Sequence, residues 1–123
     1  MGKVVRSYRD LAAWQKAIDL VTEIYRASQE FPKEELFGLT SQIRRAAVSI
    51  PSNVAEGQGK LSRKEFIYFL GNARASLMEV ETQLIISKNL DYLREERLNA
   101  LLALTAELGK ILNGLLSALK AKN

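Results

Sequence analysis

A proline set inside an apolar helical repeat constrains this chain more than any other feature. Leu39, Ile43, Ala46, Ile50 and Val54 recur at spacings of four, three, four and four, the period of a helix that buries one stripe. Pro51 falls within that repeat. It removes one backbone donor and crowds the carbonyl of Ala47, at a cost of about 3 kcal/mol or more in a regular helix, so a bend is expected there. Beside the apolar stripe runs a second one, Gln42, Arg45, Ser49, Asn53 and Glu56, mostly uncharged where a solvated face usually carries Lys and Glu. Two readings are open. One is a weakly polar solvent face with Ser49 folding back on the backbone. The other, which we favour, is a polar seam against another helix or subunit that supplies these donors and acceptors with partners.

The remaining chain reads as three more helices. Leu11, Trp14, Ile18, Val21, Tyr25 and Ser28 step at threes and fours and predict a first helix from an Asp10 N-cap to about Ser28, with Trp14 its largest anchor. Phe31-Pro32-Lys33-Glu34-Glu35 breaks the pattern and leads into the second helix, which is expected to end at Gly57. Ser62-Arg63-Lys64-Glu65 has the form of a capping box opening the third helix. That helix carries Phe66, Leu70, Ala73, Leu77, Val80, Leu84 and Ser87 to about Asn89. After a tight turn at Asp91-Tyr92-Leu93, the fourth runs to Ala121 with Leu98, Leu101, Leu102, Leu108, Leu112, Leu115, Leu116 and Leu119 on a broad face. No strand pattern competes. Short connections predict an all-α fold, an antiparallel up-down-up-down four-helix bundle bent at Pro51, with residues 1–9 as a basic arm and residues 10–123 as the bundle. Apolar residues are left over outside this core: Ile67, Met78 and Ile85 on the third helix, Leu104 and Ile111 on the fourth. They fall in lines, which predicts a subunit interface.

Charge is unevenly placed. Of 18 Lys and Arg, three lie in residues 1–9 and three in residues 110–123, with no acid in either segment; the remaining 12 face 14 acids. The net charge of +4 therefore comes from the two ends of the chain. In the expected topology these ends and the connection between helices two and three lie together, gathering Lys3, Arg6, Arg9, Lys60, Arg63, Lys64, Lys120 and Lys122. The opposite end mixes Glu30, Glu34, Glu35, Asp91, Glu95 and Glu96 with Lys33, Lys88, Arg94 and Arg97. A basic end can concentrate a polyanion such as RNA; ordinary solvation of loops and tails is the competing account.

The chain has neither His nor Cys, which excludes Ser-His and Cys-His nucleophile pairs, disulfides and the usual zinc ligand sets. The glycines near Lys60 do not form a P-loop, because Leu61 follows the lysine and Val54 stands where the first glycine belongs. Glu56, Glu79 and Glu81 are the one conceivable carboxylate site. Pairing of these acids with Arg44, Arg45 and Arg74 is the stronger reading, and antiparallel register about Lys60 predicts that Glu79 makes a partly buried pair with Arg44 or Arg45. No catalytic site, cofactor or metal is expected. Neither a signal peptide nor an unbroken apolar run of about 18 residues is visible, so a cytoplasmic protein without membrane contact is expected.

Several motifs occur in a recognisable order: Asp10-Leu11 with Trp14-Gln15, Phe31-Pro32 with Glu35, Gln42-Ile43-Arg44-Arg45-Ala46-Ala47, Ser49-Ile50, Ser52-Asn53-Val54-Ala55-Glu56-Gly57, and Ser76-Leu77 with Glu79 and Glu81. Over residues 8 to about 93 the chain resembles the four-helix bundle proteins encoded in bacterial 23S ribosomal RNA intervening sequences, a family related to the accessory variability protein of diversity-generating retroelements. The resemblance implies a cytoplasmic bacterial homopentamer without known enzymatic activity, and the basic end suggests an oligomer that contacts RNA or a nucleoprotein partner. It marks Arg44, Arg45, Asn53 and Glu56 by position without assigning them to binding or to structure. A structural or protein-binding scaffold with no affinity for nucleic acid is the alternative.

Overall fold

The computed structural model describes residues 7–121, and among them the secondary structure is wholly helical. Four long helices, α1 (Ala12–Ser28), α2 (Leu39–Gln58), α3 (Arg63–Asn89) and α4 (Glu95–Ala121), are joined by short connections, with 3-10 turns at Tyr8–Asp10 and Lys33–Glu35. Each helix packs on its neighbours in the chain, and α1 also packs on α4. The inter-helix contacts locate the partners. Arg44 of α2 meets Ser28 at the end of α1, Ser49 of α2 is hydrogen-bonded to Ser76 of α3, Glu81 of α3 accepts from Thr105 of α4, and Lys16 of α1 pairs with Glu107 of α4 at 3.1 Å.

The core stripe of α2 lies where its period places it: Ile43, Ala46, Ile50 and Val54 are buried, Ala47 joins them, and Pro51 is itself buried within a helix that continues to Gln58. On α3 the row from Leu70 to Ser87 is buried, and on α4 Leu98, Leu101, Leu108, Leu112 and Leu116 are. Thr105, an unexpected member of that α4 face, is fully buried. Its hydroxyl lies 2.7 Å from Glu81 Oε2 and 2.9 Å from the Leu102 carbonyl, which offsets the burial of a polar group. Among the described residues α4 is the one helix long and apolar enough to cross a membrane, with a mean hydropathy of 1.3 over its most apolar window; its buried leucines are committed to the core formed with α1 and α3.

Helix α1 is rotated from the face its large residues suggest. Ala13, Ala17, Leu20, Ile24 and Ala27 are buried, whereas Leu11, Trp14 and Val21 are half-buried and Ile18 and Tyr25 exposed. Three alanines on the inner face let the helix axis approach its partners closely, and the bulkier row lies beside the seam with α2.

Local chemistry explains the helix ends. Asp10 is not the N-cap of α1, whose cap position is Leu11 with no side-chain bond. It closes a capping box with Ser7 over the preceding 3-10 turn, Ser7 N–H donating to Asp10 Oδ2 and Arg9 N–H to Ser7 Oγ. Ser62 caps α3 by accepting from the Glu65 N–H, and its hydroxyl lies 3.0 Å from the Glu65 carboxylate. At the end of α3, Asp91 takes φ 63°. The Tyr92 N–H donates to the Ser87 carbonyl and the Asp91 N–H to that of Lys88, the bond pattern of a Schellman turn.

Candidate functional site

Three cations line one cavity where α3 begins and α4 ends. This shallow cavity of about 460 Å³ is lined by Arg63, Lys64 and Ile67 of α3 and by Leu119 and Lys120 of α4. The capped start of α3 orients its first turn here, with the partial positive charge of a helix N-terminus. Lys60, in the connection from α2, holds its ammonium 5.3 Å from the centroid of Phe69, and Phe69 is in edge contact with Tyr68. Arg9 is exposed in the N-terminal turn, its guanidinium 5.7 Å from the Tyr8 ring. Tyr8 in turn meets Trp14 edge-on, and both rings share a groove with Pro51, Ser52 and Ala55 in the second half of α2. Among the described residues none of Arg9, Lys60, Arg63, Lys64 and Lys120 is in an ion pair; the pairs are Lys16 with Glu107, and Glu23 with Arg26 and Arg97. Lys3, Arg6 and Lys122 lie outside the described residues.

The polar stripe of α2 divides. Ser49 is half-buried, with its hydroxyl 2.9 Å from the Ala46 carbonyl and hydrogen-bonded to Ser76 of α3. Asn53 donates to the Ser49 carbonyl at 2.8 Å. Thus Ser49 folds back on its own helix and also reaches the neighbouring one. Gln42, Arg45 and Glu56 are exposed. Arg44 belongs to another surface: its guanidinium donates to Ser28 Oγ and to the Tyr25 carbonyl and lies 4.6 Å from the Tyr25 ring, clamping α2 to α1.

The expected buried pair of Glu79 with Arg44 or Arg45 does not form. Glu79 is exposed, and its one hydrogen bond among the described residues is from the Gln83 amide at 3.5 Å. Arg45 and Glu79 do line one shallow cleft, together with Phe37, Gln42 and Ser49. The prediction failed because register fixes how far along α2 a residue of α3 lies and not which way it faces: Glu79 and Arg45 both face solvent, and Arg44 is engaged on the α1 side. Nor does Glu81 meet an arginine; Thr105 is its partner. Gln83 is a buried polar residue that sequence reasoning missed, and its Oε1 has no hydrogen-bond partner among the described residues. Among those residues there is also no group of three or more acidic side chains arranged to hold a metal.

The leftover apolar residues divide as well. Met78 and Ile85 are exposed, whereas Ile67, Leu104 and Ile111 are half-buried against the core. Several exposed hydrophobic residues were not anticipated, among them Phe37, which is 93% exposed beside Leu36, and Tyr68, which is 65% exposed. Phe37 sits in the connection before α2, where no periodic pattern could give its orientation.

One group has a displaced pKa. The Tyr92 hydroxyl donates to Glu35 Oε2 at 2.9 Å. This bond to a carboxylate, together with partial burial and the charges of Glu35 and Glu34, raises the phenol above its usual value. The other oxygen of Glu35 accepts the Leu39 N–H at 3.0 Å and so caps α2.

These features define a small four-helix all-α protein in which Arg63, Lys64 and Lys120 line one cavity at the junction of α3 and α4. The sequence pattern of the 23S rRNA-intervening sequence proteins matches residues 9–114, and the chain belongs to that family. Its fold is similar to the crystal structure, at 1.70 Å resolution, of a protein of unknown function from the S23 ribosomal protein family of Bacteroides thetaiotaomicron VPI-5482. The TM-score is 0.79 over 85% of this chain and 95% of that one, at 24% sequence identity. No curated protein matches the chain.

Proposed function

We propose that this protein is a non-enzymatic, cytoplasmic homo-oligomer, a pentamer on the family resemblance, that acts as an accessory factor contacting RNA or a nucleoprotein through its basic end. The helices read as an antiparallel up-down-up-down bundle with a bend at Pro51. Contacts such as Ser49 with Ser76 and Lys16 with Glu107 support that order. The observation that carries the functional reading is that Arg63, Lys64 and Lys120 line one cavity, none of them in an ion pair among the described residues. Unpaired surface cations cost little in water and gain affinity when phosphates replace their counterions. The absence of His and Cys from the sequence supports a non-catalytic role.

Binding of single- and double-stranded RNA, followed by fluorescence anisotropy over a range of salt concentrations, tests the proposal. Lys60, Arg63 and Lys64 changed together to Gln should weaken binding and flatten the salt dependence, by a slope of about 0.9 for each phosphate of a duplex that is no longer neutralised. Charge reversal at Arg94 and Arg97 should change it little. Equal losses of affinity from both sets would refute the choice of surface. No binding at low salt would favour the second reading, a protein-binding scaffold, which the exposed Phe37 and Leu36 support.

A further inference from the structure

Helix α3 carries two apolar rows. One is the core row. The other, Tyr68, Gly71, Ala75, Met78, Thr82 and Ile85, repeats at alternating spacings of three and four on the opposite side of the helix. All six residues are exposed, with Met78 at 50% and Ile85 at 47%, and none is charged. A sustained three-four repeat is the pattern of a helix that packs along a partner, yet among the described residues nothing covers this row. Elsewhere on the surface, the half-buried Trp14 and Val21 and the exposed Ile18 of α1 form a groove with Val48, Pro51 and Ala55 of α2, of about 310 Å³ and without a charged lining residue. From Trp14 to Val21 the α1 wall spans about two turns. The stretch from Tyr68 to Ala75 has the same length at the usual rise per residue.

We infer that the exposed row of α3 in one copy of this chain docks into the α1–α2 groove of a second copy. The inference rests on the reading of the chain as a homo-oligomer and names the two surfaces that reading leaves open. Charge selects the occupant. Nucleic acid needs cations that the groove lacks, and a strongly charged protein segment would bury groups without counter-charges there. The α3 row is itself uncharged like the groove, with Arg74 and Lys120 beside it and with Gly71 and Ala75 as low points that let it settle between two helices. Because ridge and groove are different surfaces of one chain, the contact is heterologous, and repetition closes into a ring when the rotation allows. Each subunit gives one ridge and accepts one.

The test is complementation measured by light scattering at high micromolar concentration. Met78→Arg spoils the ridge and leaves the groove intact; Val48→Arg does the reverse. Both positions are exposed, and circular dichroism with a thermal midpoint checks that each variant folds. Each alone should fall to the mass of one chain, and an equimolar mixture should give a species of two chains, since one intact contact remains. Ala75→Arg and Ser52→Arg should reproduce the pattern. If the wild type has the mass of one chain, the oligomer reading itself fails. If the wild type assembles and Val48→Arg assembles with it unchanged, or the mixed variants stay monomeric, the oligomer reading survives and the ridge-in-groove contact is overturned.

Discussion

At Gly57 the backbone of α2 approaches α3 so closely that a Cβ would lie 2.7 Å from Phe69 Cβ and 3.0 Å from Phe66 Cδ1. The sequence alone assigns this glycine to the end of α2, where glycine is common. In the structure the helix runs one residue further, and Gly57 is buried in the helix–helix seam. Two effects oppose each other in Gly57→Ala. Alanine gains about 1 kcal/mol of helix propensity, and overpacking against a Cβ that cannot swing away costs about 1–3 kcal/mol. A net loss of about 1 kcal/mol is expected in urea denaturation; a gain of stability would mean that the seam yields. The large residues of α1 teach a related lesson. Their row at 11, 14, 18, 21 and 25 is a true helical stripe, but the face of Ala13, Ala17, Leu20, Ile24 and Ala27 buries more completely, its small methyl groups letting the helix approach its partners. Periodicity identifies an apolar face, and when a helix has two of them it does not say which one turns inward.

Among the elements, α3 and α4 were legible in the sequence almost to the residue, and α2 at its end, because these starts and stops are written in local chemistry: Ser62 before α3, the break after Asn89, Glu95 and Glu96 in the first turn of α4. What local pattern could not supply was the long-range clamp at the start of α2. Glu35 caps that helix while its other oxygen receives the hydroxyl of Tyr92, and the Tyr92 ring lies 5.7 Å from Phe31. Tyr92→Phe should lower the urea midpoint at neutral pH. A phenol held above its usual value near 10 retains its proton more firmly in the folded state. Its contribution is therefore complete below that pH and is lost as the pH rises through the folded value. The gap between wild type and variant should accordingly close in alkaline solution and then reverse as phenolate and carboxylate repel. A gap that does not change with pH would show that the ring, and not the hydroxyl, carries the effect.

For the whole molecule, charge placement could be read from the sequence because loops and termini are exposed almost by necessity, so Arg63, Lys64 and Lys120 could be grouped before any coordinate was known. Side chains on helix faces could not, since antiparallel register places Glu79 along α3 but not around its axis, and there it faces solvent. Helices that pack chiefly on their chain neighbours also have consequences for time. Local contacts make for rapid folding, and here one seam, between α1 and α4, joins segments far apart in the chain; Lys16 with Glu107 and Glu23 with Arg97 lie along it. Closing that long loop carries the largest entropic cost of any step. The first and last helices should therefore be the final pair to dock and the earliest to part, and amide hydrogen exchange should find α1 and α4 opening while α2 and α3 remain protected.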